Sequence, residues 1–257
     1  MVASLCMTRE EQWLLEEKYD GANGVAFEKD RERLTAGEPL GYIIGWQPFL
    51  RLKIFLDSRP LIPRPETEWW TEQLIAVMRK SENISKSDNA FRFLDLCAGS
   101  GAIGSAVLAR LSSNAYVSFG EIDPVYGPTI LKNIRENGLD ETRTDIRIGD
   151  LFEPFDGAIF DVIAANPPYI PTGRLLSRGV VDHEPALALF SGSDGLDIIR
   201  RIAAELSARL APDGIAWIEC DSEHGRAART LFEEYGFHTE IRTDQYGVPR
   251  IIVVSFT

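Results

Sequence analysis

Apolar residues in the front third of the chain fall first at helical spacing and then in strand-like runs. Thr8 followed by Glu11 reads as a capping box, in which each side chain meets a free backbone N–H of the first turn. Trp13, Leu14 and Leu15 then open an apolar helix face. A second helix is predicted from about Val25 to Ala36, with Gly37 as its C-terminal stop. The stretch from Tyr42-Ile43-Ile44 to Phe55-Leu56 is rich in β-branched and aromatic residues, broken by Gly45 and Pro48, and predicts a hairpin. Leu61-Ile62-Pro63-Arg64-Pro65-Glu66-Thr67-Glu68 is a rigid turn leading into a helix that ends near Arg79. Residues 81–90, polar apart from Ile84 and Ala90, read as a linker.

From Phe91 the pattern alternates between strand and helix. Strands are expected at Phe91–Leu96, Tyr116–Gly120, Ile146–Ile148, Ile159–Ala165 and Ile215–Cys220, with Phe237–Arg242 and Ile251–Phe256 as a closing antiparallel pair. Helices are expected at about 102–111, up to Asn137, at 194–210 and at 223–235, and residues 166–193 form a long connection rich in Pro and Gly. This alternation implies an α/β fold with a mainly parallel sheet covered on both faces. Ligands of such sheets bind at the carboxyl ends of the strands. The expected organisation is a short helical domain at 1–37, a hairpin and connecting helix at 38–90, and the α/β domain at 91–257.

Composition narrows the class. Hydrophobic residues make up 44% and charged residues 26% of 257, which excludes a disordered chain, a collagen-like fibre and a disulfide-stapled miniprotein. The net charge is −12 and is unevenly placed: residues 1–80 carry 11 basic and 13 acidic side chains, residues 81–257 carry 16 and 26. An acidic α/β part disfavours a surface that grips nucleic acid, which needs clustered Lys and Arg. Cys6, Cys97 and Cys220 are scattered with no C-x-x-C pair, and point to a reducing compartment. His183, His224 and His238 lack zinc-ligand spacing, so no metal is expected. No apolar run approaches the roughly 18–20 residues of a membrane span. The acidic N-terminus suits neither a secretion signal nor a transit peptide, so a cytoplasmic location is expected.

Four places carry candidate chemistry, each at the end of a predicted strand. Asp95-Leu96-Cys97-Ala98-Gly99-Ser100-Gly101 is a small-residue turn that lets a ligand approach the backbone, with N–H groups of the next helix facing it. Gly99, Gly101 and Gly104 also fit the dinucleotide spacing G-x-G-x-x-G, against which stands Asp95, a carboxylate suited to a ligand with a cationic end. Glu121 lies where an acid can accept hydrogen bonds from ribose hydroxyls; its plainer reading is a solvated charge. Asp150 is a candidate acceptor for an adenine amino group, or simply a cap. Asn166-Pro167-Pro168-Tyr169 is the most informative. The Asn side-chain oxygen and a carbonyl directed by the proline rings form two acceptors able to grip a planar –NH2, and the Tyr169 ring offers a face for stacking.

Together, the Asp-Leu-x-x-Gly-Ser-Gly turn and Asn-Pro-Pro-Tyr resemble the S-adenosylmethionine-dependent amino-methyltransferases. Within them, the chain is similar to the HemK-type glutamine methyltransferases of peptide-chain release factors. The resemblance runs from Gly37 to the C-terminus. It is carried by Glu38-Pro39-Leu40-Gly41-Tyr42-Ile43-Ile44-Gly45, by Leu61-Ile62-Pro63-Arg64-Pro65-Glu66-Thr67-Glu68, and by Asn166-Pro167-Pro168-Tyr169-Ile170. Glu184-Pro185-Ala186-Leu187-Ala188-Leu189, Gly192-Ser193-Asp194-Gly195-Leu196 and Asp244-Gln245-Tyr246-Gly247-Val248-Pro249-Arg250 extend it. It implies a Rossmann-like seven-stranded methyltransferase sheet with an antiparallel C-terminal strand. It implies S-adenosyl-L-methionine held by Asp95, Cys97, Ala98, Gly99, Ser100, Gly101, Glu121, Asp150, Leu151 and Asn166. Asn166, Pro167, Pro168 and Tyr169 would hold a glutamine amide whose nitrogen attacks the sulfonium methyl, leaving S-adenosyl-L-homocysteine. The implied partner is a release factor, with no direct nucleic acid, no membrane and a monomeric enzyme. Cys97 and Ala98 depart from the family's usual Gly and Thr or Cys, and the helical front part is short. The rivals are a methyltransferase for an exocyclic base nitrogen, which uses the same grip on a flipped base, and a non-catalytic cofactor-binding scaffold.

Overall fold

The computed structural model describes residues 7–80, 91–111 and 115–257. The predicted linker at 81–90 and Cys6 lie outside the described residues. Three helices open the chain: α1 (Arg9–Tyr19), α2 (Val25–Thr35) and α3 (Leu40–Ile44). The capping box at Thr8 and Glu11 is formed in both directions, at 3.1 and 2.7 Å. Leu14, Phe27, Leu40, Ile43 and Ile44 make a small apolar core of their own.

The structure corrects one predicted element. Tyr42-Ile43-Ile44 is helix, not the start of a hairpin strand. Leu40, Ile43 and Ile44 recur at i, i+3 and i+4, which places them together against Leu14 and Phe27. Gly45, at φ +95°, then ends the turn. The hairpin follows it, as β1 (Trp46–Phe49) paired antiparallel with β2 (Leu52–Phe55). α4 (Pro65–Lys80) comes next and buries Trp70, Leu74, Ile75 and Met78 in the main core.

The remaining strands are β3 (Phe91–Leu96), β4 (Ala115–Glu121), β5 (Thr144–Ile148), β6 (Phe160–Ala165), β7 (Leu210–Glu219), β8 (Phe237–Thr243) and β9 (Pro249–Phe256). The helices between them are α5 (Ala102–Arg110), α6 (Gly127–Glu136), α7 (Arg178–Val181), α8 (Ala186–Leu189), α9 (Asp197–Leu206) and α10 (Gly225–Glu234). The strands form one sheet in the order β5-β4-β3-β6-β7-β9-β8, parallel from β5 to β7, with β9 antiparallel to both its neighbours. Phe93, Val117 and Val162 point into one core layer, and Leu94, Ile163 and Ile218 into the other. The sequence runs β3, β4, β5 in one direction across the sheet and then β6, β7 in the other. The reversal falls between β3 and β6, where α/β sheets open their ligand cleft.

Candidate active site

Sheet register brings the predicted turns together. Leu96 pairs with Ala165, so the turn after β3 lies beside Asn166. Leu96 also pairs with Gly120, and Glu121 with Ile148, which sets Glu121 between that turn and Gly149-Asp150. Between them is an open cleft. Cys97, Ala98, Gly99 and Ser100 line one wall and Glu121, Asp150 and Leu151 another. Asn166 and Pro168 line a third.

Each wall has a local cause. Gly99 sits at φ +55° with open space where a side chain would be, and its N–H donates to Glu121 Oε2 at 2.7 Å. Glu121 Oε1 accepts from the N–H of Asp123 at 2.9 Å. Each carboxylate oxygen keeps a lone pair for a ligand hydroxyl. Burial pushes the Glu121 carboxyl above its usual value, and the N–H groups of Asp123 and Gly99 offset this only in part. Among the described residues no salt bridge reaches Glu121. A buried carboxylate facing a cleft without a cation suits a ligand that carries positive charge. At the rim, Asp150 accepts from Arg201 at 2.8 Å through one oxygen, leaving the other free.

Other expected residues stand behind the walls. Asp95 is buried and accepts from the Gly104 N–H at 2.8 Å, so its contact is with the start of α5. Gly101, at φ +74°, faces Ile130 and Phe119 and makes room for packing. Tyr169 turns its hydroxyl to Glu219 Oε1 at 3.0 Å, away from the cleft wall. Cys97 adopts φ +59°, the left-handed region that glycine occupies freely, and this is the physical sense of the family's usual Gly there.

Sequence reasoning gave no role to several residues the fold brings in. Leu61, Pro63 and Thr67 line the cleft from the turn before α4, and Pro185 and Leu187 from the long connection. Arg64 pairs with the buried Glu184 at 2.6 Å, and Glu184 also accepts from the Ile62 N–H at 3.3 Å, which joins those two segments. Thr67 Oγ1 donates to Glu219 Oε2 at 2.7 Å, and the Nε1–H of Trp70 donates to the same oxygen at 2.7 Å. Asn166 Nδ2 in turn donates to Thr67 Oγ1 at 3.3 Å. The available signals are the Pro-Arg-Pro-Glu-Thr-Glu and Glu-Pro-Ala-Leu-Ala-Leu runs, since contacts across 120 to 152 residues leave no local period.

Residues 71–180 match the family model described as a methyltransferase small domain. The chain is 36% identical over 229 residues to the release factor glutamine methyltransferase of Thermodesulfovibrio yellowstonii, covering 87% of this chain and 78% of that protein. The chain belongs to the release factor glutamine methyltransferase family. The enzyme of that name from Deinococcus radiodurans is 32% identical over 222 residues, covering 86% of this chain and 76% of its own. Among solved structures, a methyltransferase from Pyrococcus furiosus aligns with a TM-score of 0.55 at 15% identity, covering 88% of this chain and 98% of that one. That last likeness is one of fold. As a member of this family the protein is a methyltransferase, and the cleft at the β3/β6 reversal is its candidate active site.

Proposed function

We infer that the protein transfers a methyl group from S-adenosyl-L-methionine to the side-chain amide nitrogen of the glutamine in the Gly-Gly-Gln motif of a peptide-chain release factor. The observation that carries this reading is that Asn166 and Pro168 of the Asn-Pro-Pro turn line the switch-point cleft, with Pro167 buried between them, in a chain more than 30% identical to enzymes of that name. S-adenosyl-L-methionine, when bound, supplies the methyl group on a positively charged sulfur. Glu121 would take its ribose hydroxyls on the lone pairs left by Gly99 and Asp123. The Gly99-Ser100 backbone would meet its methionine end, and Asp150 and Leu151 would flank its adenine.

The substrate end needs acceptors. The peptide units Asn166–Pro167 and Pro167–Pro168 carry carbonyls but no N–H, so the turn has no donor of its own to compete. The Asn166 Oδ1 and the Pro167 carbonyl would each accept one hydrogen of the glutamine –NH2. Taking both hydrogens fixes the amide plane and raises electron density at nitrogen. Leu61, Pro63, Pro185 and Leu187 supply apolar walls that hold water away. No histidine lines the cleft, and positioning alone can lower a barrier by several kcal/mol. The excess of 26 acidic over 16 basic residues in 81–257 supports a protein substrate over nucleic acid. A cytoplasmic, monomeric enzyme is part of the same reading.

The test is incubation with labelled S-adenosyl-L-methionine and, in parallel, a release factor bearing Gly-Gly-Gln, tRNA, rRNA and DNA. Label is expected in the release factor, at the glutamine. Label in nucleic acid alone would overturn the reading.

A further inference from the structure

Glu219, at the end of β7, is fully buried, and its two oxygens collect three donors from two parts of the chain. Trp70 and Thr67 of α4 share Oε2, and Tyr169 takes Oε1. The indole N–H of Trp70 can only donate, so Oε2 must be an acceptor. The Thr67 hydroxyl has a single hydrogen, and the 2.7 Å bond to Glu219 uses it. What Thr67 offers on its other side is lone pairs, and the group that meets them is the Asn166 amide at 3.3 Å. Only the NH2 end of that amide can face a lone pair. The oxygen end is then turned elsewhere, on a residue that lines the cleft.

We propose that Glu219 and Thr67 are positioning residues that set the rotamer of the Asn166 amide, so that its oxygen and not its NH2 group meets the substrate nitrogen. The idea rests on the glutamine-amide reading of the cleft and deepens it. An Asn side chain free to rotate by half a turn would present donors to a donor. A flipped Asn166 would repel the substrate –NH2 where the correct one grips it. A neutral amide cannot decide this for itself; the direction of the Thr67 hydroxyl does, and Glu219 fixes that direction. The chain is a polarity relay, from a carboxylate that only accepts, through a hydroxyl with one hydrogen, to an amide whose acceptor end is left over.

The shared oxygen makes the idea separable from a merely structural role. In Glu219→Gln the amide oxygen can occupy the Oε2 position, accepting from both Trp70 and Thr67, while the new NH2 donates to the Tyr169 hydroxyl. The relay survives. In Thr67→Val the shape is kept and the hydroxyl is lost, so Asn166 loses its reference. Thr67→Ser restores it. We expect Thr67→Val to lower kcat on a Gly-Gly-Gln release factor at least tenfold. Its affinity for S-adenosyl-L-methionine by calorimetry should stay within threefold of wild type, and its unfolding should remain cooperative. Thr67→Ser and Glu219→Gln should both stay within threefold of wild-type kcat. The side-chain 15N–1H signals of Asn166, assigned by their loss in Asn166→Ala, should shift in Thr67→Val and stay near wild type in Thr67→Ser. Wild-type kcat in Thr67→Val with unmoved Asn166 signals overturns the relay. So does a Thr67→Ser variant as slow as Thr67→Val. A wild-type protein that leaves the release factor unlabelled but labels nucleic acid overturns the substrate reading instead, and the Asn166 signals then report the relay independently of it.

Discussion

Asp30 in the front helices and Glu219 behind the cleft are both buried carboxylates that collect three donors, yet they are displaced in opposite directions. Asp30 accepts from Lys18 and Tyr19 at 2.6 Å each and from Arg33 at 2.5 Å. Burial pushes its carboxyl up, but the bonds from Lys18, Tyr19 and Arg33 outweigh it and hold the group below the usual carboxylate value. Glu219 accepts from Trp70, Thr67 and Tyr169, all neutral, and burial leaves it above the usual value. The number of hydrogen bonds is equal; Glu219 is the more deeply enclosed and none of its donors is charged, and the two together set the sign. In the front module a carboxylate stabilises helix packing. Behind the cleft burial makes a carboxylate costly, and what its position supplies is an acceptor for Trp70 and Thr67. Glu121 and Asp95 lean the same way as Glu219, both raised chiefly by burial.

The largest effect tests whether that cost serves transfer. Asn166→Ala should lower kcat by about a hundredfold or more, the scale of one lost transition-state hydrogen bond in a closed site. Calorimetry should show cofactor binding retained. An Asn166→Ala enzyme that turned over normally would remove the reason for the whole arrangement. Next is Glu121→Ala, which deletes the cleft-facing carboxylate and with it about 2 kcal/mol of charged hydrogen bonding. Cofactor affinity should fall roughly thirtyfold, and unchanged affinity would count against that contact.

A smaller effect sets the two carboxylates directly against each other. Asp30→Asn should cost about 1.5 kcal/mol near neutral pH, discounted because Lys18 and Arg33 are a third or more exposed. Its folded value is lowered, so the stability it lends is present above the unfolded value of roughly 4 and is lost as pH falls through the folded one. The gap between wild type and Asp30→Asn should therefore close on acidification. Glu219 is raised, so its contribution is fully present below roughly 4 and is lost as pH rises through the folded value. Wild type should lose ground to Glu219→Gln as pH rises. Denaturant titrations at several pH values measure both, and slopes of the same sign would break the comparison.

The smallest effect concerns backbone alone. Cys97 holds φ +59°, and Cys97→Gly should raise stability by about 1 kcal/mol by relieving that conformation, offset in part by the looser unfolded chain. A rise in the midpoint of thermal unfolding with unchanged cofactor affinity is the expected result.

Local rules made much of the protein legible. Strand and helix periods from Phe91 onward gave the seven strands, because side-chain period and backbone geometry are set within a few residues. The long connection at 166–193 reads as irregular, and the structure adds two single-turn helices there, Arg178–Val181 and Ala186–Leu189, neither closed by a side-chain cap hydrogen bond. Tyr42-Ile43-Ile44 suits either period, and only the packing of Leu40, Ile43 and Ile44 against Leu14 and Phe27 selects the helix.

By itself the sequence determined the turns: Gly99 where the chain must open, and two prolines after Asn166 that remove donors and direct carbonyls. Those are properties of single residues and their neighbours. Tertiary structure decided what the turns face. Strand order put Leu96 beside Ala165, and folding brought Thr67 and Glu219, 152 residues apart, to one hydrogen bond. Whether a buried carboxylate meets cations, as Asp30 does, or neutral hydroxyl and indole groups, as Glu219 does, is a matter of which distant elements pack together. No local pattern can encode it, because the energy that fixes it belongs to the pairing and not to either partner.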